Sequence, residues 1–251
     1  MHRIFVHFIG ESGEVILDGD DDHYLRRVLR LGPEDRVIVF DQSRSEWIAR
    51  IVHQDRRRTR LALVEKRENR CEPVHDVRLL QGIPKGTRFF DVVRDATAMG
   101  VSGIVPFEAM RSVAGKGGKS GEWHRRAKKI AMEAARQCGR CNPPSISEWQ
   151  PSLKAALDQV SPESQPRGVF LWEETQKPVI EFIEQLQEVR GTRSPILLII
   201  GPEGGFTRQE AELAEKTGLF VCHLGPRILR TELAPVVALS ILMHELGEMS
   251  G

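Results

Sequence analysis

Residues 196–246, ILLIIGPEGGFTRQEAELAEKTGLFVCHLGPRILRTELAPVVALSILMHEL, decide the fold of this chain. They contain two glycine-proline loops, at Gly201-Pro202 and Gly225-Pro226. Each loop follows an apolar run typical of a strand and precedes a helical pattern. Parallel strands place such loops at one edge of a sheet, where open α/β proteins bind small ligands. The segment therefore predicts the active site.

The same alternation of strand and helix patterns extends upstream to Asp76. Its predicted strands are residues 77–83, 103–107, 169–172, 195–200 and 220–224. Its predicted helices are residues 87–99, 123–138, 176–189, 207–217 and 235–247. Alternation of this kind predicts an α/β domain with a mostly parallel sheet.

Before residue 69 the pattern is mostly that of short strands. They are predicted at residues 4–9, 36–40, 46–53 and 60–65. One helix is predicted at residues 22–31, where apolar residues form a stripe that Gly32-Pro33 ends. Residues 69–75 are predicted as a linker. We therefore expect a small β-barrel-like domain before the α/β domain.

The composition is that of an ordinary globular protein, with 40% hydrophobic and 28% charged residues in a chain of 251. The longest apolar runs, such as Ile196 to Ile200, are too short to cross a bilayer. The first residues lack the apolar centre of a secretory signal. We expect no membrane segment and a cytoplasmic location.

Four cysteines are too few and too scattered for a disulfide framework, and only Cys138 and Cys141 form a CxxC pair. Zinc would need two further ligands at a matching spacing. A thioredoxin-like pair would follow a strand, whereas this pair closes a predicted helix. We therefore expect no metal site.

Charge is balanced over the whole chain, with 36 basic and 35 acidic residues, but it is unevenly distributed. Residues 50–70 hold eight basic and three acidic residues, and residues 111–140 hold nine basic and two acidic ones. Two basic segments in a neutral protein indicate a polyanionic partner. Two solvated protein faces are the alternative.

The first loop, Gly201 to Gly205, has three glycines that let another molecule approach the backbone closely. Thr207 and Glu210 form a T-x-x-E capping box that begins the next helix. Neither a GxGxxG nor a GxxxxGK[ST] motif is present, so the ligand need not carry a phosphate.

The second loop, Leu224 to Glu232, holds two arginines and a glutamate around Ile228 and Leu229. It directly precedes a helix that Pro235 is suited to open. Charged groups interleaved with apolar ones suit a site with an apolar slot and a polar edge. A surface ion pair between arginine and glutamate is the alternative.

Together, IGPEGGFT and LGPRILRTE resemble the paired C-terminal motifs of the 16S ribosomal RNA (uracil-N3)-methyltransferase family, part of the SPOUT class of S-adenosylmethionine (SAM) enzymes. Three further segments match in the expected order: HYLRRVLR from His23, GIVPF from Gly103 with Arg111 downstream, and EAARQCGR from Glu133. The joint order of these motifs over nearly the whole chain makes the resemblance specific.

This resemblance implies a PUA-like RNA-binding β-barrel over residues 1–72 and a SPOUT α/β domain, tied in a deep trefoil knot, over residues 73–251. It also implies a homodimer with the final helix at the interface. The implied activity is SAM-dependent methylation of N3 of a specific uridine in 16S rRNA of the small ribosomal subunit. The chain departs from the family at Leu233, usually threonine, and at Ala98-Met99, usually an acidic residue and leucine.

The resemblance also implies which residues hold SAM, largely through main-chain groups. They are Leu171, Ile200, Gly201, Pro202, Glu203, Gly204, Gly205, Leu224, Gly225, Ile228, Leu229 and Thr231. The residues expected to bind rRNA phosphates are basic. They are Arg26, Arg27, Arg30, Arg111, Lys116, Lys119, Arg125, Arg126 and Arg140.

Uracil N3 carries a proton and is a poor nucleophile until that proton leaves. We expect Glu232 to accept the proton and Arg230 to offset the charge that develops on the uracil oxygens. A non-catalytic RNA-binding or ribosome-assembly protein with the same fold is the alternative, to which Leu233 gives weight. A dehydrogenase fits the alternation of strands and helices but lacks the dinucleotide motif.

Overall fold

The computed structural model describes residues 1–6, 9, 13–41, 45–69, 71–112, 121–160, 166–186 and 195–250. Contacts between Cα atoms divide the chain into two units. The first unit comprises Met1–Glu72 and Ala135–Asn142, and the second comprises Pro73–Ala134 and Pro143–Gly251.

The first unit is built on a five-stranded sheet in the order β1-β3-β4-β5-β2. Its strands are β1 (Arg3–Phe5), β2 (Glu14–Asp18), β3 (Arg36–Phe40), β4 (Ser45–Gln54) and β5 (Arg58–Glu68). Two register shifts between β4 and β5 bend the sheet, and its inner face packs around Val37, Ile51 and Leu61. The sheet curls into a half-barrel, which confirms the predicted small β domain.

The helix predicted at residues 22–31 is wrong in its bounds and its stripe. Helix α1 runs over Gly19–His23 and continues as a π-helical turn over Tyr24–Val28. Leu25 is fully buried, whereas Tyr24 and Val28 are 46% and 59% exposed. A π turn is wider than an α turn, so apolar residues at α-helical spacing no longer share one face.

The second unit is built on a six-stranded, all-parallel sheet in the order β11-β9-β10-β6-β7-β8. Its strands are β6 (Val77–Gly82), β7 (Gly103–Phe107), β8 (Ser145–Ile146), β9 (Arg167–Leu171), β10 (Ile196–Ile200) and β11 (Phe220–Cys222). Every residue of β7 and β10 is buried, as expected for parallel strands that are covered on both faces. The predicted α/β domain is confirmed.

Helices cover both faces of the parallel sheet. They are α2 (Arg88–Ala98), α3 (Gly121–Cys138), α4 (Leu153–Val160), α5 (Val179–Leu186), α6 (Arg208–Lys216) and α7 (Ala234–Glu245). One apolar core packs α2, α3, α5 and α7 against the sheet, and a second packs α4 and α6 against its other face. Neighbouring residues of β10, Leu197 and Leu198, belong to different cores because strand side chains alternate.

Two helices differ from the sequence prediction. Helix α4 was not predicted, although its residues Leu153 and Leu157 are buried at helical spacing. Helix α5 begins at Val179 rather than 176, because Pro178 pairs with His223 in a β-bridge and the chain is still extended there. Its predicted end at residue 189 lies outside the described residues. Within the described part of the chain, no helix is long and apolar enough to cross a membrane.

Candidate active site

A cavity of about 810 Å³ opens at the carboxyl edge of the parallel sheet. The segments that follow β9, β10 and β11 line it, between residues 171 and 176, 200 and 206, and 223 and 234. Arg88, the first residue of α2, adds a side chain from the segment that follows β6. Since these strands are parallel, their carboxyl ends bring both glycine-proline loops to one place.

The first loop is packed tightly against neighbouring backbone. A Cβ on Gly82 would stand 2.7 Å from Cδ of Pro202. A Cβ on Gly204 would stand 2.7 Å from the carbonyl oxygen of Arg111. Phe206, which ends the loop, is fully buried. Glycine is therefore needed at residues 82 and 204, because the ring of Pro202 and the backbone of Arg111 lie where a side chain would begin.

The predicted capping box at the start of α6 is confirmed. The N–H of Glu210 donates to Oγ1 of Thr207 at 3.3 Å, and the N–H of Thr207 donates to Oε2 of Glu210 at 2.8 Å. Oε1 of the same buried carboxylate accepts a hydrogen bond from the N–H of Met110 at 2.9 Å. Glu210 thereby fixes the segment that carries Arg111 beside the first loop.

The second loop is anchored at a buried threonine and is otherwise largely exposed. The hydroxyl of Thr231 donates to the carbonyl oxygen of Gly201 at 2.8 Å and accepts from Nε2 of Gln81 at 3.2 Å. Ile228, in contrast, is 87% exposed, and Arg230 is also exposed. The two loops are joined through Thr231, which places the charged and apolar residues of the second loop around the cavity.

Two glutamates, one from each loop, lie beside Arg88. Nη1 of Arg88 is 2.6 Å from Oε1 of Glu203, and its Nε is 3.8 Å from Oε2 of Glu232. The backbone N–H of Lys85 also donates to Glu203, at 3.1 Å to Oε1 and 3.2 Å to Oε2. The chain's own donors thus occupy Glu203. Sequence analysis missed Arg88. Only its position, at the start of a helix that follows a parallel strand, could have indicated that it lies at the site.

The structure brings the predicted cofactor and catalytic residues together. Of the twelve predicted cofactor residues, all except Gly204 line the cavity, as do both predicted catalytic residues, Arg230 and Glu232. Gly204 instead packs against Arg111. Trp172 and Glu173 also line the cavity and were missed, because only their position directly after β9 marks them.

A second cavity, of about 700 Å³, lies in the first unit. It is lined by Gly19, Asp22, His23, Arg26, Arg27, Arg56 and Arg57. The guanidinium of Arg26 is used within the unit, because it donates to the carbonyl oxygens of Asp55 and Arg56 and pairs with Asp22. Arg27 is exposed, as is Arg30 nearby in the sequence. Of the three arginines predicted here to bind RNA, Arg27 and Arg30 are the accessible ones.

The predicted RNA-binding residues near α3 differ in accessibility. Arg125 and Arg126 are exposed, and the guanidinium carbon of Arg126 lies 4.3 Å from the ring centre of Phe90. Arg140 is only 4% exposed, and its Nε lies 3.5 Å from Oε2 of Glu72. The prediction that Arg140 binds RNA is wrong, because a buried and paired guanidinium does not reach a phosphate. Lys116 and Lys119 lie outside the described residues.

Cys138 and Cys141 have the properties of unreactive thiols. Burial raises the pKa of the Cys138 thiol and raises that of Cys141 to about 12. Zinc ligands and attacking thiols are thiolates, whereas these thiols stay protonated at neutral pH. Among the described residues, no group of three or more histidine, cysteine, aspartate or glutamate side chains is arranged to hold a metal ion.

The chain combines a parallel α/β domain that has a loop-lined cavity with a preceding β domain that has exposed arginines, and two family models identify its class as an RNA methyltransferase. The family description "RNA methyltransferase domain" matches residues 70–243, and "RNA methyltransferase PUA domain" matches residues 17–61. A curated relative from Bacillus subtilis, ribosomal RNA small subunit methyltransferase E, is 30% identical over 100% of this chain and 99% of its own. The Synechocystis enzyme of the same name is 31% identical over 87% of this chain and 69% of its own.

The chain belongs to the ribosomal RNA small subunit methyltransferase E family and combines a PUA domain with a SPOUT-type RNA methyltransferase domain. A Neisseria gonorrhoeae member bound to S-adenosyl methionine superposes with a TM-score of 0.80 at 25% identity, over 97% of both chains. A putative methyltransferase from Legionella pneumophila, also in complex with SAM, gives 0.76 at 26% identity over 96% of both. The dehydrogenase alternative is therefore wrong.

Proposed function

We propose that this chain methylates N3 of a uridine in 16S rRNA of the small ribosomal subunit, with SAM as the methyl donor. The observation that carries the proposal is the cavity, which joins both glycine-proline loops of the family motif. The full-length Bacillus subtilis relative, named as a small subunit rRNA methyltransferase, supports the substrate class. The SAM-bound Neisseria gonorrhoeae relative supports the cofactor.

The residues around the cavity fit SAM. Its volume of about 810 Å³ falls within the range of roughly 300–1,000 Å³ for small-molecule sites. Gly201 and Gly225 offer main-chain groups to the polar parts of the cofactor, and no Cβ shields them. Ile228 and Leu229 offer apolar surface in the same cavity. Polar backbone beside apolar side chains suits a molecule that combines an adenosine, an amino acid and a charged sulfur.

When bound, SAM supplies a methyl group on a positively charged sulfur that becomes neutral as the methyl group leaves. Ile228 and Leu229 would give that sulfur surroundings of low polarity. Such surroundings favour the transition state, in which the charge is dispersed, over the fully charged ground state. The apolar part of the second loop therefore contributes directly to the rate.

Glu232 would accept the N3 proton of uracil, and Arg230 would balance the charge on the uracil oxygens. Both side chains line the cavity. The Glu232 side chain is 26% exposed, so a substrate reaches it while the surrounding chain excludes much of the water. Arg230 is exposed at the mouth, where a base would enter.

Exposed cations in both units would bind the phosphates of the rRNA. They are Arg27, Arg30, Arg111, Arg125 and Arg126. Phosphate contacts give affinity that falls with salt, whereas an unstacked uridine provides specificity. Arg111 is held beside the first loop by its packing against Gly204, which suits a phosphate close to the reacting base.

A salt titration tests the cationic face of α3. We expect the simultaneous replacement of four exposed cations by alanine to weaken RNA binding and to reduce the slope of log affinity against log salt by about 3. The four residues are Arg125, Arg126, Lys128 and Lys129. An unchanged slope would remove this face from the proposed binding surface.

We propose further that two copies of the chain form a homodimer through α7. Apolar residues are not confined to the buried face of the helix, because Val236, Val237 and Ile241 remain partly exposed. Light scattering after size-exclusion chromatography tests this proposal. A species with the mass of a single 28.3 kDa chain at micromolar concentration would contradict it.

We assign residues 1–72 to an RNA-binding domain, and residues 73–251 to a methyltransferase domain that carries out methyl transfer and adds its own contacts to the rRNA. The exposed arginines of the first unit and the cavity of the second support this division. The proposed place of action is the cytoplasm, because the substrate is ribosomal RNA.

Methylation of small-subunit RNA by the purified protein, with labelled SAM, tests the proposed roles at the second loop. We expect Arg230→Ala and Glu232→Gln to lower kcat by about 100-fold or more, because each removes a group that acts in the transition state. Arg208→Ala and Glu212→Gln form the matched control, since this pair lies on α6 outside the cavity lining. Wild-type rates in variants that still fold and bind SAM would refute the assignment.

A further inference from the structure

Arg88 stands where the two loops and a third strand end meet. It is the first residue of α2, directly after the turn that follows β6, and its side chain lines the cavity. Its guanidinium faces one glutamate from each loop, with Nη1 2.6 Å from Oε1 of Glu203 and Nε 3.8 Å from Oε2 of Glu232. Arg88 is therefore the cation that connects the acidic groups of the two loops.

Hydrogen bonds hold the carboxylate of Glu203 in place beside Arg88. Both of its carboxylate oxygens accept hydrogen bonds from the backbone N–H of Lys85, and Oε1 also accepts from Nη1 of Arg88. It belongs to the first loop, which packed backbone holds in place. Glu203 thus orients the guanidinium plane of Arg88, rather than offering a free charge to a ligand.

Glu232 is the second carboxylate near Arg88, and it is the proposed proton acceptor. Its Oε2 atom is buried, and among the described residues no hydrogen-bond donor reaches that oxygen. Nε of Arg88, at 3.8 Å, is close enough for attraction but too far for a hydrogen bond. Arg88 thus attracts the carboxylate of Glu232 from its buried side, without a hydrogen bond.

We propose that Arg88 is a positioning residue for methyl transfer, which anchors on Glu203 and orients the carboxylate of Glu232 toward the substrate. An arginine suits this task because its planar fork presents several donors in fixed directions, so that two carboxylates are served by one side chain. The inference rests on the proposed function, since Glu232 is the proton acceptor proposed there. Arg88 therefore affects the rate of methyl transfer indirectly, by positioning Glu232.

A double-mutant cycle between Arg88 and Glu232 tests the inference. We expect Arg88→Ala to lower kcat on the order of 100-fold, the cost of misplacing a reacting group by about 1 Å. In the Glu232→Gln background the same change should lower kcat by less than about threefold, because its target is already lost. The dissociation constant for SAM, measured by calorimetry, should change by less than about threefold in Arg88→Ala.

Two further variants separate positioning from folding. Arg88→Lys keeps the charge but not the fork, so we expect it to recover part of the lost kcat without reaching wild type. Arg94→Ala on the same helix is the matched control, because its partners Asp91 and Asp95 also lie on α2, outside the cavity lining. We expect its kcat and its unfolding curve to stay close to wild type.

The outcomes distinguish the inference from the function beneath it. An active wild type with an unaffected Arg88→Ala variant would overturn the role of Arg88 alone, as would equal losses from Arg88→Ala in both backgrounds. A loss of SAM binding that accounts for the whole effect would do the same. A wild-type protein that methylates no small-subunit RNA would overturn both proposals.

Discussion

The two glycine-proline loops line the same cavity but are held in opposite ways. The first loop is a fixed wall, in which Pro202 and Phe206 are buried and Gly204 touches neighbouring backbone. The second loop is anchored at Thr231, while Ile228 stands 87% exposed. The difference teaches that rigidity and chemistry are divided between the loops. The first provides a frame, and the second presents the groups that act.

This division also explains the contrast in their sequences. Tight packing selects glycine and proline in the first loop, because a side chain at residue 204 would strike a backbone carbonyl. The tip of the second loop carries charged and apolar residues that are exposed, namely Arg227, Ile228 and Arg230. Exposed apolar surface of this kind is costly to leave in water, so a ligand or a partner is expected to cover it.

Removing the aromatic anchor of the first loop should have the largest effect. Phe206 is fully buried, and its ring lies 4.1 Å from that of Phe170 and 6.2 Å from that of Phe107. We expect Phe206→Ala to lower the free energy of unfolding by about 3–5 kcal/mol in urea titrations. Phe206→Leu, which keeps most of the volume, should cost less than half as much. A loss below about 1 kcal/mol for alanine would mean that the first loop is not a fixed wall.

Cutting the link between the loops should have an intermediate effect. Thr231→Val removes the hydroxyl that bonds Gly201 and Gln81. We expect the free energy of unfolding to fall by about 1–3 kcal/mol, because buried polar partners lose a hydrogen bond. Thr231→Ser keeps the hydroxyl and serves as the control. Equal stability of the valine variant and wild type would show that the second loop has another anchor.

Trimming the exposed tip of the second loop should affect binding and not folding. We expect Ile228→Ala to change the free energy of unfolding by less than about 0.5 kcal/mol, because the side chain is 87% exposed. SAM should bind about tenfold more weakly, since the ligand would cover this side chain. Ile180→Ala, exposed on α5 outside the cavity lining, is the matched control. Unchanged SAM affinity would contradict the proposal that apolar residues of the second loop contact SAM.

The departure at Leu233 should have the smallest effect. Leu233 is 46% exposed and does not line the cavity, although it lies beside Glu232 in the chain. We expect Leu233→Thr to change SAM affinity by less than about twofold. A large gain in affinity or kcat would show that this position matters. It would then favour the alternative of a non-catalytic RNA-binding protein.

Local patterns predicted much of the fold because parallel strands that are buried on both faces are plain apolar runs, as β10 is. Helix α4 was predictable, because Leu153 and Leu157 have helical spacing, but it was not predicted. The π turn at Tyr24–Val28 was not predictable, because an exposed apolar stripe looks the same in sequence as a buried one. The trefoil knot stays a prediction from the family resemblance, since no local pattern encodes how a chain is threaded.

The site was less predictable than the fold, for a physical reason. Motif residues such as Gly201 and Thr231 were found because they lie in the quoted loops, and they do line the cavity. Arg88 was missed because its partners lie more than a hundred residues away along the chain. Arg140 was misjudged because its sequence does not reveal burial against Glu72. Contacts of long sequence separation decide these roles.

Nucleoside mass spectrometry of 16S rRNA tests most directly that the paired loops form an rRNA methylation site. The RNA is taken from cells that lack this protein and from the same cells supplied with wild type or Glu232→Gln. We predict that 3-methyluridine is lost without the protein, returns with wild type and does not return with the variant. Undiminished 3-methyluridine in the 16S rRNA of cells that lack the protein would contradict the proposed function.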